Sequence, residues 1–245
     1  GNFGVVVDGR MTFDADLLDT QMATLRFWIW LLKGVSCYFH GEYEHAQYCL
    51  VEAGKLKWAT PAHIHLLDYH FYAALNLAKV AAAEDEAAGA VAQIEPHLAR
   101  LRTWAQLNPA TFRDKMLLVE AEVARLKGTP LAAMALYEQA AVAGSENGFN
   151  HSTALAHELA SVCCEANGLF SAARHHRRHA IDSYTRWGAL AKVKQLERAG
   201  RPAQVSIERP AASRPSKTRM WRCPVFRVWF CSLMSSTCSR YFSTS

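Results

Sequence analysis

His157 and Glu158 stand together inside "GFNHSTALAHELAS", residues 148–161, with His151 six residues earlier. Two chemistries use a His-Glu pair on a helix. A zinc protease needs H-E-x-x-H, which sets two imidazoles one turn apart on the metal and leaves the Glu as base. A histidine-kinase phosphoacceptor helix reads roughly S-H-E-[LI]-R-T-P. This stretch completes neither. The second zinc ligand would fall at residue 161, which is Ser161, and no Arg or Pro follows the pair. His151 projects about 120° around the helix from His157 and cannot share an ion with it. The pair reads as an ordinary helix-packing or interhelix hydrogen-bonding pair.

The other histidines do no better. His175, His176 and His179 in "RHHRRHA" include an i,i+4 pair, His175/His179, with metal-ligand spacing. Arg174, Arg177 and Arg178 surround it and repel a cation, so a solvated basic face is expected. His65 and His70 lie five apart around Asp68 and do not share a helical face. The sequence contains no G-x-x-x-x-G-K-[ST], G-x-G-x-x-G or G-x-S-x-G. "FWIW" and "YHFY" lack interleaved Lys and Arg, so they are expected to pack between helices rather than stack bases. Seven cysteines, with no C-x-x-C pair, read as buried reduced thiols rather than a zinc ribbon or disulfide framework. The expectation is no catalytic residue, no cofactor-binding residue and no metal ligand, hence no enzyme.

The elements that carry these residues are helical from about residue 15 to 199. Ala and Leu dominate, and apolar residues recur at three- and four-residue spacings. Thr60-Pro61, Asn108-Pro109 and Thr129-Pro130 each set a capping side chain before a proline suited to the first helical position. Gly41, Gly128, Gly148, Gly168 and Gly188 follow helical stretches, as left-handed C-terminal residues do. Within this train a unit recurs: Gly41…Ala46…Leu50…Ala53, Gly128…Ala133…Tyr137…Ala140, and Gly168…Ala173…Arg177…Ala180. Each Gly turns the chain between antiparallel helices, and the alanines, seven apart, let the second helix lie close against the first. The unit resembles the second half of a tetratricopeptide repeat. The last two copies are 40 residues apart rather than the usual 34, and Arg177 replaces a large apolar residue. The predicted fold is therefore all-α: a TPR-like antiparallel helical-hairpin array, an α-solenoid, over residues 1–200. Such an array buries a continuous core between neighbours and leaves a concave face free.

Charge separates the body from the tail. Residues 201–245 hold eight Lys/Arg and one acid, Glu208, which leaves 19 bases and 21 acids in residues 1–200. A near-neutral body does not track a phosphate backbone, so no nucleic-acid partner is expected. No apolar run reaches the roughly 18 residues a membrane helix needs, and a soluble, cytoplasmic protein is expected. The chain opens on Gly1 and reads as a stretch excised from a longer one. Residues 201–219 read as a Pro/Ser/Arg-rich linker and 220–245 as an irregular basic tail. After about Lys217 the helical period and the acids vanish together, which suggests an out-of-frame translation. Such a tail is expected to be disordered, with Cys223, Cys231 and Cys238 binding nothing.

Three stretches carry a family resemblance: Phe27 to Leu75, Leu101 to Gly128, and Ala135 to Glu197. Their signature phrases are "KWATPAHIHLLDYHFYAAL" (57–75), "YEQAAVAGSENGFNHSTALAHELASVCCEANG" (137–168) and "AIDSYTRWGALAKVKQL" (180–196). Together they resemble the helical middle region of very large bacterial and fungal signalling kinases. Those proteins join a serine/threonine-kinase-like domain, an AAA/STAND-type ATPase, a long helical region, a GAF sensor and a histidine kinase. Asn150-His151-Ser152 departs from the family's usual H-N-E. The resemblance implies a non-catalytic scaffold that holds protein partners or neighbouring domains and relays the state of the ATPase. A second reading is the helical sensor arm of a STAND-type transcription regulator. A third, a metal-dependent hydrolase, rests only on the histidine near-misses.

Overall fold

The structure, a computed structural model, describes residues 22–61, 63–81 and 84–199, together with residues 5–7 and 10–12 of the N-terminal stretch. The linker and basic tail expected after residue 200, with Cys223, Cys231 and Cys238, lie outside the described residues. Helices run in succession: α1 (Ala23–His40), α2 (Tyr43–Gly54), α3 (His65–Val80), α4 (Glu84–Leu107), α5 (Pro109–Leu126), α6 (Pro130–Glu146), α7 (Asn150–Ala166), α8 (Phe170–Trp187) and α9 (Leu190–Ala199). A single 3-10 turn, Lys57–Ala59, sits between α2 and α3. The described residues also include a short antiparallel pair, β1 (Val5–Val7) and β2 (Arg10–Thr12), with Val5 opposite Thr12. The sequence reading placed this stretch within the helical domain. Its β-branched run Val5-Val6-Val7, followed in sequence by Asp8-Gly9, is hairpin composition and accounts for the difference.

Five turns share one geometry. Gly41, Gly128, Gly148, Gly168 and Gly188 all have positive φ, between 69° and 85°. At each, the glycine N–H and the next N–H return to the closing turn of the helix. Gly168 N–H donates to Glu165 O at 3.0 Å, and Leu169 N–H to Cys164 O at 2.8 Å. This two-bond closure satisfies carbonyls the helix leaves open, and it needs a left-handed residue that only glycine adopts cheaply. The residue after the glycine then opens the next helix, its carbonyl accepting from the N–H four residues on, as Leu169 O does from Ala173 at 2.9 Å. The chain reverses within two or three residues each time.

The paired alanines explain why the reversed helices pack closely. Ala46, Ala53, Ala133, Ala140, Ala173 and Ala180 are all 0% exposed. They belong to α2, α6 and α8, which lie against α1, α5 and α7 respectively. Ser161 Oγ on α7 donates to Ala173 O on α8 at 2.9 Å, so at that alanine the second helix's backbone is within hydrogen-bonding reach of the first. Gly34 does the reciprocal service on α1, where a Cβ would stand 2.8 Å from Leu50 Cγ.

Consecutive helices pack in chain order from α1 to α9, and the odd helices also touch one another, α1 on α3, α3 on α5 and α5 on α7. One continuous apolar core runs through the array, from Phe27 and Phe71 through Leu118 and Tyr137 to Tyr184 and Trp187. Its last members reach back to its first: Phe39 on α1 meets Tyr184 and Trp187 on α8 with ring centroids 6.5 and 5.8 Å apart.

The proline caps divide. Asn108 Oδ1 accepts from Thr111 N–H at 3.3 Å, as expected of a capping side chain. Thr129 does not cap α6; its hydroxyl donates backwards to Ala124 O at 2.8 Å and closes α5 instead. Thr60 likewise donates to Lys57 O, and α3 begins at His65 rather than Pro61. Pro96 lies inside α4 on its exposed face. The carbonyl that loses its partner there is on a face that water reaches.

Candidate functional site

His157 and Glu158 are adjacent in sequence but point to different seams. His157 Nδ1 lies 3.2 Å from His176 Nδ1 across α7 and α8, and its ring is 5.2 Å from that of His179. Two neutral imidazoles at that distance share one proton, one ring donating and the other accepting. Burial, reinforced by His176 and His179, pushes the His157 imidazole down to about 4. Glu158 turns the other way. It accepts from Tyr184 Oη at 2.6 Å and from Lys192 Nζ at 2.7 Å, and the same ammonium donates to Phe39 O at 3.4 Å. This one carboxylate thus joins α7, α8 and α9 and, through Lys192, the C-terminal turn of α1.

His151 stays apart from both, its ring 5.7 Å from Trp187 and 6.1 Å from Phe149. The three histidines of α8 separate in a way the sequence did not show. His175 is exposed and its ring is 4.5 Å from that of His179, in keeping with a solvated face. His176 is buried at 7% exposure, with Nε2 3.3 Å from Glu138 Oε1, and this corrects the reading of the whole run as solvated. Counting positions explains it: His176 lies three residues after Ala173 and four before Ala180, on the same apolar stripe. His65 and His70 do part company, as their spacing required. The His65 ring packs 5.2 Å from Trp28, while His70 Nδ1 meets His97 Nδ1 on α4 at 3.0 Å. Burial lowers that second pair, His70 to about 3 and His97 to about 4.

The odd helices carry a second polar set, centred on Asp68 of α3, Asp114 and Glu122 of α5 and Glu158 of α7. Glu122, 1% exposed, accepts from the Tyr137 phenol and from Arg125 Nε and Nη2 at 3.1 and 2.8 Å. Arg125 Nη2 also donates to Ala78 O at 2.8 Å, which ties α5 to α3. Burial alone would raise this carboxyl, but Lys79, Arg125 and the phenol outweigh it and hold it below its ordinary value. Asp114 and Lys115 form a buried pair at 3.1 Å, and the ammonium stands 4.3 Å from the Phe149 ring centroid. Glu158 is paired as described.

Asp68 is different. It is 7% exposed, and Lys115 is the charge that acts on it. Burial raises its carboxyl to about 7, opposed only in part by Lys115. His151, on which Lys115 also acts, is driven the other way, to about 3, by burial first and then by Lys115.

Glu158 reads from the sequence as part of an interhelix hydrogen-bonding pair, and it is one; the sequence reading passed over Asp114, Lys115 and Glu122. The available signal was a charge at heptad distance on an apolar face: Lys115 and Glu122 are seven apart on α5, and His151 and Glu158 seven apart on α7. Cys37, Cys49, Cys163 and Cys164 are buried and free, as the sequence suggested. Among the described residues no group of three His, Cys, Asp or Glu is arranged to hold a metal ion, and no helix is long and apolar enough to cross a membrane. No protein family, curated protein or solved structure matches the chain.

Proposed function

We propose that this chain is a TPR-like helical scaffold, the regulatory middle region of a multidomain signal-transduction kinase, which makes protein or interdomain contacts and performs no chemistry of its own. The observation that carries the reading is the repeated turn-and-pair unit: left-handed glycines between antiparallel helices whose paired alanines are fully buried. A chain built by repeating one packing unit presents a long face along one layer, and such faces serve recognition. His157, the histidine of the two incomplete motifs, meets His176 across the α7–α8 seam, and His151 packs apart from it beside Trp187. The resemblance of residues 27–75, 101–128 and 135–197 to the signalling-kinase helical region supplies the context, with an ATPase on one side and GAF and histidine-kinase domains on the other. The coding sequence on either side tests it. Kinase and ATPase coding upstream with GAF coding downstream is the expected result. A DNA-binding domain in their place would move the assignment to the sensor arm of a STAND-type regulator, and neither would overturn both.

A further inference from the structure

Imidazoles gather at the seam between α7 and α8. His157 Nδ1 faces His176 Nδ1 at 3.2 Å, and the His157 ring is 5.2 Å from that of His179. The His175 ring stands 4.5 Å from His179 and 5.9 Å from His176. The separation of the two facing nitrogens has a chemical meaning. Two nitrogens bound to one tetrahedral zinc ion, each at about 2.0–2.1 Å, stand about 3.3–3.4 Å apart.

We propose that His157 and His176 bind a zinc(II) ion between their Nδ1 atoms, with His179 as third ligand, so that the cation pins α7 to α8. This goes beyond the scaffold reading and does not depend on it. As the side chains stand, only the two Nδ1 atoms face each other, which is why no three groups form a cage. His179, half-buried one turn beyond His176, completes the set by turning its ring, and water takes the fourth position.

Glu138 supports the site from α6. Its Oε1 stands 3.3 Å from His176 Nε2, which holds that ring's proton on Nε2 and leaves the Nδ1 lone pair directed at α7. A carboxylate behind a ligating imidazole fixes the tautomer and makes the ligand more basic. Without a cation, His157 Nδ1–H donates to that lone pair. With one, the His157 proton sits on Nε2 instead and the ring stays neutral. Burial, first among the causes, lowers both imidazoles, so at neutral pH zinc has no proton to displace from either.

The arginines of α8 do not close the site. At about 100° per residue, Arg174 and Arg178 each project about 160° away from His176. Arg177 is paired with Glu165. Arg186, which also acts on His157, lies seven residues beyond His179 and donates to Ser183 Oγ at 3.1 Å. The repulsion expected of the whole basic run falls on its outer face.

The probe is zinc chloride, titrated by calorimetry at about pH 7 into the full chain, reduced and stripped of metal beforehand. The expected result is one zinc ion per chain, bound in the micromolar range and weakened at least about tenfold in His157→Gln, in His176→Gln and in His179→Gln. The other facing pair, His70 and His97 at 3.0 Å, has Trp104 and Tyr69 as its ring neighbours rather than further imidazoles. His70→Gln should therefore bind as the parent does. So should a chain with Cys223, Cys231 and Cys238 changed together to Ser, which removes the thiols of the tail as competing ligands. In the proton–nitrogen correlation spectrum of the imidazoles, Nδ1 of His157 and His176 should shift on adding zinc, while the nitrogens of His70 and His97 stay in place. No binding by the parent, undiminished binding by His157→Gln, or loss in the His70 or tail-thiol variant overturns the site. Circular dichroism checks that each variant is folded, and if His157→Gln is not, the imidazole shifts of the parent decide.

Discussion

Replacing Lys192 by Met should loosen the seam between the last helix and the first. Met keeps most of the aliphatic stem and deletes the ammonium that pairs with Glu158 at 2.7 Å and reaches Phe39 O at 3.4 Å. The two side chains are 10% and 16% exposed, so water compensates little when the charge is removed. Breaking one partner of a fully buried pair costs about 3–5 kcal/mol, because the survivor stays charged in a poor solvent. Here Glu158 keeps the Tyr184 phenol at 2.6 Å and some access to water, which lowers the expectation to about 2–3 kcal/mol. The double variant Glu158→Gln, Lys192→Met strands no charge and should cost only about 1 kcal/mol. The two effects are therefore strongly non-additive. Urea unfolding followed at 222 nm measures all three variants, and the single change should lower the midpoint by about 1 M with an unchanged slope. If Lys192→Met falls within about 0.5 kcal/mol of the parent, or if the double variant equals the sum of the singles, the seam is not held by this pair.

Three further outcomes follow from the same structure. Ala133→Leu places an isobutyl group where nothing is exposed between α5 and α6; it should destabilise by about 1–3 kcal/mol in the same urea assay, whereas Leu at the exposed Ala132 should not. Asp68 is raised in the folded chain, so folding takes up a proton and its contribution falls as pH climbs from about 4 to about 7; Asp68→Asn should match the parent near pH 4 and exceed it by about 2–4 kcal/mol at pH 8, measured by urea midpoints across pH. His157 is engaged with His176 and lowered, so purified chain with ATP should yield no phosphohistidine, read by acid-labile label after gel separation, and a labelled His157 would reinstate the phosphoacceptor reading.

How much of this was legible depends on whether the signal is local. The glycine turns were, because a left-handed residue after a helix is a backbone demand that one residue type answers, and all five glycines answer it. The buried alanines were legible for the same reason: close approach of two backbones admits only small side chains, and a seven-residue spacing keeps them on one stripe. The prolines were read half correctly, since Thr129 and Thr60 have two uses for a hydroxyl near a helix end and composition does not choose between them. The destination of each histidine was not legible. Helical spacing tells which residues share a face, and it told correctly that His151 and His157 do not. It does not tell that His70 meets His97 27 residues on, because that depends on the register of α3 against α4.

The spacing of the glycines gives one half of the array a regular metre and leaves the other without one. Gly128, Gly148, Gly168 and Gly188 stand 20 residues apart, so α6, α7 and α8 have nearly the same length. On this period of 40 residues from α5 to α7, Lys115 and Glu122 correspond to Leu155 and Val162, and the seven-residue pair His151 and Glu158 sits about one turn earlier on its helix. Upstream the metre breaks, since α3 has 16 residues and α4 has 24. On α3 the position seven after Asp68 is Leu75, fully buried and apolar, where α5 and α7 carry Glu122 and Glu158 seven after Lys115 and His151.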